Sequence, residues 1–248
     1  MSNKNNNIID TEKIDILNKD KSYKIFDSIY LKYDILNKIL SFGQDILWRN
    51  KLVKIPKKQE GQLFLDLATG TGDILYAFLK KREDVAYAIG LDKSINMLKM
   101  AKNKSKKKAQ IRQSSFLRGD ANKIPIEDET FDFATMAFGI RNITNPKIAL
   151  KEIKRVLKTG GKVLILEFSL PQNSFFKFFF LFYLRTIVPL IGRIISGDKY
   201  AYRYLNETIE TFPYGESFCK IMEKAGFTNI TFKPLTFGIA TIYQGDKL

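Results

Sequence analysis

One stretch constrains the fold of this chain more than any other: Leu63-Phe-Leu-Asp-Leu-Ala-Thr-Gly-Thr-Gly-Asp73. An apolar run meets an acid and passes into the turn Gly70-Thr71-Gly72. A second apolar run, Ala88-Ile-Gly-Leu91, ends at Asp92. Two strand-like runs, a glycine turn between them and an acid closing the second describe a nucleoside-cofactor unit. The spacing narrows the cofactor. A dinucleotide site wants a third glycine for close helix–strand packing, and Leu75 stands there. A phosphate-binding loop wants Lys-Ser/Thr after its glycines, and neither follows. The turn is built for close backbone approach, not for a pyrophosphate.

The pattern around this unit alternates. Leu63–Leu67 predicts a strand, Asp73–Lys81 a helix, Val85–Leu91 a strand, and Ser94–Lys106 a helix capped by Ser94. Ile111–Arg118 is a weaker strand signal. Phe131–Ala137 predicts a strand, and Pro146 opens a helix to about Leu157, since proline suits a first helical turn. Gly160-Gly161 is expected to end that helix, with a strand over Lys162–Phe168. A helix over Gly215–Lys224 precedes closing strands at Thr228–Leu235 and Ile239–Gln244. Such alternation specifies a mostly parallel sheet with helices on both faces, and the terminal hairpin adds one antiparallel strand. Upstream, Ile25, Phe26, Ile29, Tyr30 and Tyr33 recur at helical spacing within Ser22–Lys54. A single domain over 1–248 is expected, with 1–20 as a mobile tail.

Residues 174–195 break the rhythm. Ser174-Phe-Phe-Lys-Phe-Phe-Phe-Leu-Phe-Tyr-Leu-Arg185 is intensely aromatic. Lys177, Arg185 and Pro189 interrupt it, so it reads as something other than a bilayer span. It suits either a buried or dimer-forming helix, or a greasy lid over a lipid-like substrate.

Composition excludes several chemistries. There is no histidine and one cysteine, Cys219. A Ser-His-Asp hydrolase, a histidine-ligated metal and a disulfide framework are therefore unavailable, and no metal site is expected. The start is polar and lacks a secretory apolar segment, so a cytoplasmic location is expected. The net charge is +15. Its densest cluster, Lys99 to Lys108, carries no interleaved aromatics. It reads first as a solvated face, then as attraction to an anionic membrane, and last as a nucleic-acid site.

In open α/β sheets ligands bind at the carboxyl ends of the strands. Three candidate elements fall there. Gly70, Thr71 and Gly72 follow the first strand. Asp92 ends the second, where a carboxylate can accept both ribose hydroxyls. Asp120-Ala121 follows the third, where a carboxylate and an N–H can read an adenine edge. Each alone also reads as an ordinary turn or cap; the ordered set is more specific. Asp66, Asp73, Asp92 and Asp120 are local acids on a basic chain. They suit a cationic sulfonium cofactor such as S-adenosylmethionine. Arg141 and Asn142 follow the fourth strand, where the reacting end of such a cofactor would lie. They read either as a helix-entry turn with a structural salt bridge or as groups that orient and stabilise a substrate oxyanion.

These residues, with others along the chain, resemble the C-methyltransferases of menaquinone and ubiquinone biosynthesis. The marks are Phe26-Asp-Ser-Ile-Tyr30, Tyr33-Asp34, Ser41-Phe-Gly43, Trp48-Arg49, Leu65–Ile74, Gly119-Asp-Ala121, Phe138-Gly-Ile-Arg-Asn142, Arg155-Val-Leu157, Leu166-Glu-Phe-Ser169, Tyr204-Leu205, Phe212-Pro213 and Leu235-Thr-Phe-Gly-Ile239. The resemblance implies a class I S-adenosylmethionine-dependent methyltransferase: a Rossmann-like seven-stranded sheet, last strand antiparallel, with N-terminal helices and an aromatic helical lid over 174–210. It implies that Thr71, Asp92, Asp120 and Ala121 contact the cofactor. It implies methyl transfer to a ring carbon of a prenylated quinol, demethylmenaquinol or the ubiquinone-precursor benzoquinol. Some relatives carry Ser before Phe-Gly-Ile-Arg-Asn; Ala137 here removes that hydroxyl. On this reading Phe175–Leu190 lines a prenyl-tail channel or rests on the inner face of the cell membrane. A homodimer is compatible, nucleic acid is not expected, and the competing class is a non-catalytic binding module of the same fold.

Overall fold

A computed structural model describes residues 27, 30, 33–106, 113–195 and 199–248. The tail at 1–20, much of the first helical pattern, Lys107 and Lys108, and the start of the weaker strand at Ile111 lie outside the described residues. The helical pattern resolves into α1 (Tyr33–Leu40) and α2 (Asp45–Val53). Between them the chain turns through Phe42 and Gly43, both at positive φ (51° and 73°).

From there strands and helices alternate: β1 (Gln62–Leu67), α3 (Asp73–Lys81), β2 (Val85–Asp92), α4 (Ile95–Lys106), β3 (Ser114–Arg118), β4 (Phe131–Ala137), α5 (Pro146–Val156) and β5 (Leu157–Phe168). Both expected helix starts are present. Ser94 Oγ accepts from Met97 N at 3.1 Å, and Pro146 opens α5 after Asn145, whose side chain accepts from Ile148 N. One boundary differs. Gly160-Gly161 does not end a helix; α5 stops at Val156, and β5 begins at Leu157 and runs through the glycines. Long-range pairing overrides the local turn signal there: Gly160 N donates to Lys247 O and Lys247 N to Gly161 O.

Among the described residues seven strands lie in the order β3-β2-β1-β4-β5-β7-β6, where β6 is Thr228–Leu235 and β7 is Ala240–Asp246. β7 runs antiparallel to both of its neighbours, β5 and β6. Strand order reverses between β1 and β4, which makes that crevice the topological switch point. Alternate side chains feed two cores, as the strand period requires. Leu164, Leu166 and Phe168 of β5 join Trp48, Phe64, Phe78 and Phe133 on one face. Val163 and Ile165 join Leu65, Leu67, Met136, Leu150 and Phe218 on the other. Phe64 and Phe133 stack across β1 and β4 with centroids 4.7 Å apart.

After β5 comes the aromatic segment, α6 (Ser174–Phe182), a widened π turn (Tyr183–Ile187) and α7 (Val188–Ile195). Pro189 explains the widened turn, because it offers no N–H to the Arg185 carbonyl and its ring crowds that group. The stretch Ser174–Ile191 is long and apolar enough, by length and composition, to cross a membrane. It is instead pinned lengthwise to the protein: Phe180, Leu184 and Val188, four residues apart, are all buried in the core. The Asn206 side-chain amide of α8 (Lys199–Thr211) donates to the Leu184 carbonyl within the π turn. Then α9 (Glu216–Lys224) leads into the closing hairpin.

Candidate active site

The glycine turn follows β1 directly. Gly70 and Gly72 sit at φ 55° and 82°, in the region glycine enters without a Cβ penalty. A Cβ on Gly72 would meet the Tyr76 ring at 2.7 Å. Two further residues are strained without being glycine. Ala68 and Phe138, each one residue beyond its strand, have φ of 48° and 56°. They flank the switch point from the ends of β1 and β4. Such outliers persist only where the surroundings over-determine them, and they concentrate at functional sites.

A cleft opens between these strand ends, lined among others by Arg49, Asp66, Thr69, Thr71, Asp73 and Phe138. Its floor is Asp66, 1% exposed. Thr69 Oγ1 and Thr135 Oγ1 donate to its two oxygens at 2.7 and 2.6 Å. Burial pushes the Asp66 carboxyl up to about 7 against those hydroxyls, and the nearby Asp92 adds to the rise. Its roof is the N-terminal helix pair. Arg49 of α2 bridges Asp45 at 2.6 Å and Asp73 at 2.8 Å. Lys104 of α4 bridges Asp34 at 2.6 Å and Asp73 at 2.8 Å. Burial opposes the charge of Asp73, but Arg49 and Lys104 outweigh it and hold that carboxyl below its ordinary range.

The residues expected to hold a cofactor do lie along one edge. Thr71 is buried, its hydroxyl donating to Asp34 at 2.7 Å and accepting from Lys104 at 2.8 Å. Asp92 accepts from Gly70 N and Ser94 N, both at 2.8 Å, so it fixes the glycine turn as well as ending β2. Burial raises its carboxyl against these N–H bonds, and the charge of Asp27 adds to the rise. Asp27 also accepts from the Ser94 hydroxyl. Asp120 accepts from Asn122 N at 2.9 Å and pairs with Lys93 at 3.0 Å. Burial works against its charge, yet those partners lower its carboxyl. Ala121 beside it is buried.

Arg141 and Asn142 fall in a 3-10 turn after β4. Arg141 is 4% exposed and ion-pairs with Glu167, itself 1% exposed, at 2.5 Å. Its Nη1 also donates to Phe138 O at 2.8 Å, and Asn142 Nδ2 donates to the same carbonyl at 3.2 Å. Both side chains thus hold the strained strand end that borders the cleft. Arg141 Nε is buried and has no hydrogen-bond partner among the described residues. The sequence reading anticipated a salt bridge but not its partner. It also passed over Asp34 and Arg49 as anything but marks of resemblance. The four-residue spacing of Asp45 and Arg49 on one helix was the signal for that pair.

A sheet of this order, with a glycine turn and ordered acids at its carboxyl edge, is that of a class I methyltransferase. More narrowly, the chain belongs to the ubiE/COQ5 methyltransferase family, whose model matches residues 14–247. It is an S-adenosylmethionine-dependent C-methyltransferase of that family. The demethylmenaquinone methyltransferase of Thermotoga maritima is 40% identical over 232 residues, 93% of this chain and 97% of that one. The ubiquinone/menaquinone biosynthesis C-methyltransferase of Roseobacter denitrificans is 39% identical over 224 residues, 90% of this chain and 89% of that one. Among solved structures, an S-adenosylmethionine-dependent methyltransferase from Aquifex aeolicus superposes with TM-score 0.57 at 22% identity, covering 81% of this chain and 89% of that chain. A phosphoethanolamine N-methyltransferase of Haemonchus contortus, in complex with S-adenosylmethionine, gives 0.60 at 19% identity, covering 81% of this chain and 52% of the other. These two likenesses concern the fold alone. The residues present suit the cofactor. The cleft and its rim carry several carboxylates for a sulfonium and an ammonium, and the glycine turn, at positive φ, closes one side of it.

Proposed function

We propose that this methyltransferase acts on a ring carbon of a prenylated quinol and that demethylmenaquinol is its acceptor. Relatives bearing that activity in their names align over nearly the whole chain at 40% identity. The observation that carries the prenylated part is an exposed aromatic surface beside the carboxyl edge of the sheet. Phe175, Phe178, Phe179 and Phe182 of α6 are all more than half exposed. Phe176 stacks on Phe237 at 4.4 Å, and Phe237 is 69% exposed. Phe237 sits between Thr236 and Gly238 in a run of three positive-φ residues. Trp48 Nε1 donates to Thr236 Oγ1 and Ser169 Oγ to Gly238 O, which hold that loop in place. An apolar surface of this kind suits the lipid interface, where a polyprenyl tail resides. The positive charge of the chain favours an anionic surface. The lid over 174–210 is thus read as a tail-binding and membrane-facing element, and the enzyme as peripheral.

Bound S-adenosylmethionine supplies an electrophilic methyl group. The chain supplies alignment and exclusion of water. The acceptor carbon gains electron density when the neighbouring phenolic oxygen loses its proton. Arg141, through an Nε–H that has no partner among the described residues, is the proposed donor to that oxygen. Asn142 is proposed to hold a water that takes the proton. Glu167 neutralises the guanidinium, so the help it gives is a directed hydrogen bond more than a net charge.

The test is mass spectrometry of purified protein with S-adenosylmethionine and each reduced acceptor in turn. A prenylated naphthoquinol gaining one ring methyl supports the reading. Methylation of the benzoquinol precursor alone replaces the acceptor, and methylation of neither overturns the proposal.

A further inference from the structure

The cleft at the switch point is lined by carboxylates from the sheet edge and by one arginine from outside it. Asp66 and Asp73 belong to β1 and the start of α3; Arg49 comes from α2, before the sheet begins. Its side chain is 13% exposed, and it uses Nη2 toward Asp45 and Nη1 toward Asp73. A guanidinium carries five N–H donors, so donors remain after both bonds. Asp45 is buried and also accepts from Ser41 Oγ at 3.0 Å. That triad fixes the arginine from behind while its planar head borders the cleft.

We propose that Arg49 binds the α-carboxylate of S-adenosylmethionine, so that the N-terminal helix pair completes the cofactor site. The inference rests on S-adenosylmethionine being the methyl donor. The amino-acid end of that molecule presents an ammonium and a carboxylate side by side. The sheet edge supplies carboxylates, which suit the ammonium and the sulfonium. They repel the α-carboxylate, which needs a cation held at the same place. Lys104 is another cation near the turn, but its ammonium is engaged by Asp34, Asp73 and the Thr71 hydroxyl. Arg49 lines the cleft itself, and a fork-shaped donor suits a carboxylate better than a point charge does.

The test uses binding, not turnover. Affinities of S-adenosylhomocysteine, of 5′-methylthioadenosine (which lacks the amino-acid end) and of S-adenosyl-3-thiopropylamine (which lacks only the carboxylate) are measured by calorimetry. The proteins are the wild type, R49M and R49K. R49M should weaken S-adenosylhomocysteine by about 10- to 100-fold, the worth of a charged hydrogen-bonded pair. It should leave methylthioadenosine within about twofold, and R49K should fall between. The wild type should discriminate against the carboxylate-free ligand, and R49M should lose that discrimination. Equal loss for all three ligands would make Arg49 a strut only, and unchanged S-adenosylhomocysteine affinity would also overturn the assignment. If R49M does not fold, a wild type binding the carboxylate-free ligand as tightly as S-adenosylhomocysteine refutes the proposal. A wild type that binds none of the three removes the cofactor reading itself.

Discussion

Arg141 Nη1 and Glu167 Oε1 lie 2.5 Å apart in the interior, joining the turn after β4 to the end of β5. The same glutamate accepts from Phe168 N at 2.8 Å, and the guanidinium lies 5.4 Å from the Phe168 ring. Removing either partner strands a buried charge, which costs about 3–5 kcal/mol. Arg141→Ala and Glu167→Ala should therefore both lower the midpoint of chemical unfolding, and the double variant R141M/E167M should recover part of that loss. Turnover separates the roles. Under conditions where R141A is folded, its kcat should fall far more than its affinity for S-adenosylmethionine. Normal turnover in that variant removes Arg141 from the chemistry.

Asp66 makes stability depend on pH. Its carboxyl has an ordinary value of 3.8 and reaches about 7 in the fold. Between these values the folded state holds a proton that the unfolded state has released. Stability of the ligand-free protein should thus fall as pH rises from about 4 to about 7, by on the order of 4 kcal/mol at most. Asp66→Asn should flatten the dependence over that window. Denaturation at several pH values reads the slope directly, and an equal slope in both proteins discards this account.

Much of this arrangement is legible in the order of residues. The glycine turn, Asp92, the Ser94 and Pro146 helix starts and the antiparallel last strand all rest on signals a few residues long. What the order hides is long-range. Gly160-Gly161 reads as a turn until Lys247 pairs with it from the far end of the chain. Glu167 looks like a strand-end acid until the fold brings Arg141 beside it. The roof of the cleft is hidden for the same reason. Asp34 meets Thr71 only after the helices ahead of the sheet fold back over the turn.

That roof gives a third prediction. Lys104 binds Asp34, Asp73 and Thr71 together, with the lysine 25% and Asp34 34% exposed. Partly solvated pairs of this kind contribute about 1 kcal/mol or less. Lys104→Met should therefore barely change global stability. It should nevertheless speed amide hydrogen exchange in α1 and weaken S-adenosylmethionine binding, because the local opening free energy of the roof is small. Exchange in α1 identical to the wild type would mean that α1 is held by packing rather than by these charges.

The exposed rings of α6 should act at a surface and not in the fold. Phe178, Phe179 and Phe182 are 66%, 53% and 54% exposed, whereas Phe180 on the same helix is 4% exposed. Replacing an exposed ring removes little core packing, so F178S, F179S and F182S should each keep their unfolding midpoint close to wild type. Phe180→Ser should lower the unfolding free energy by several kcal/mol, as loss of a buried phenylalanine does. If the exposed face meets lipid, each lost ring should reduce binding to anionic vesicles on the order of tenfold, since burying such a side chain is worth about 1.5–3 kcal/mol. The triple variant should then methylate a long-tailed acceptor poorly and a tail-less analogue normally. Equal loss on both acceptors would place these rings in the architecture of the site. Unchanged vesicle binding together with loss on the long-tailed acceptor alone would make the face a tail channel rather than a membrane contact.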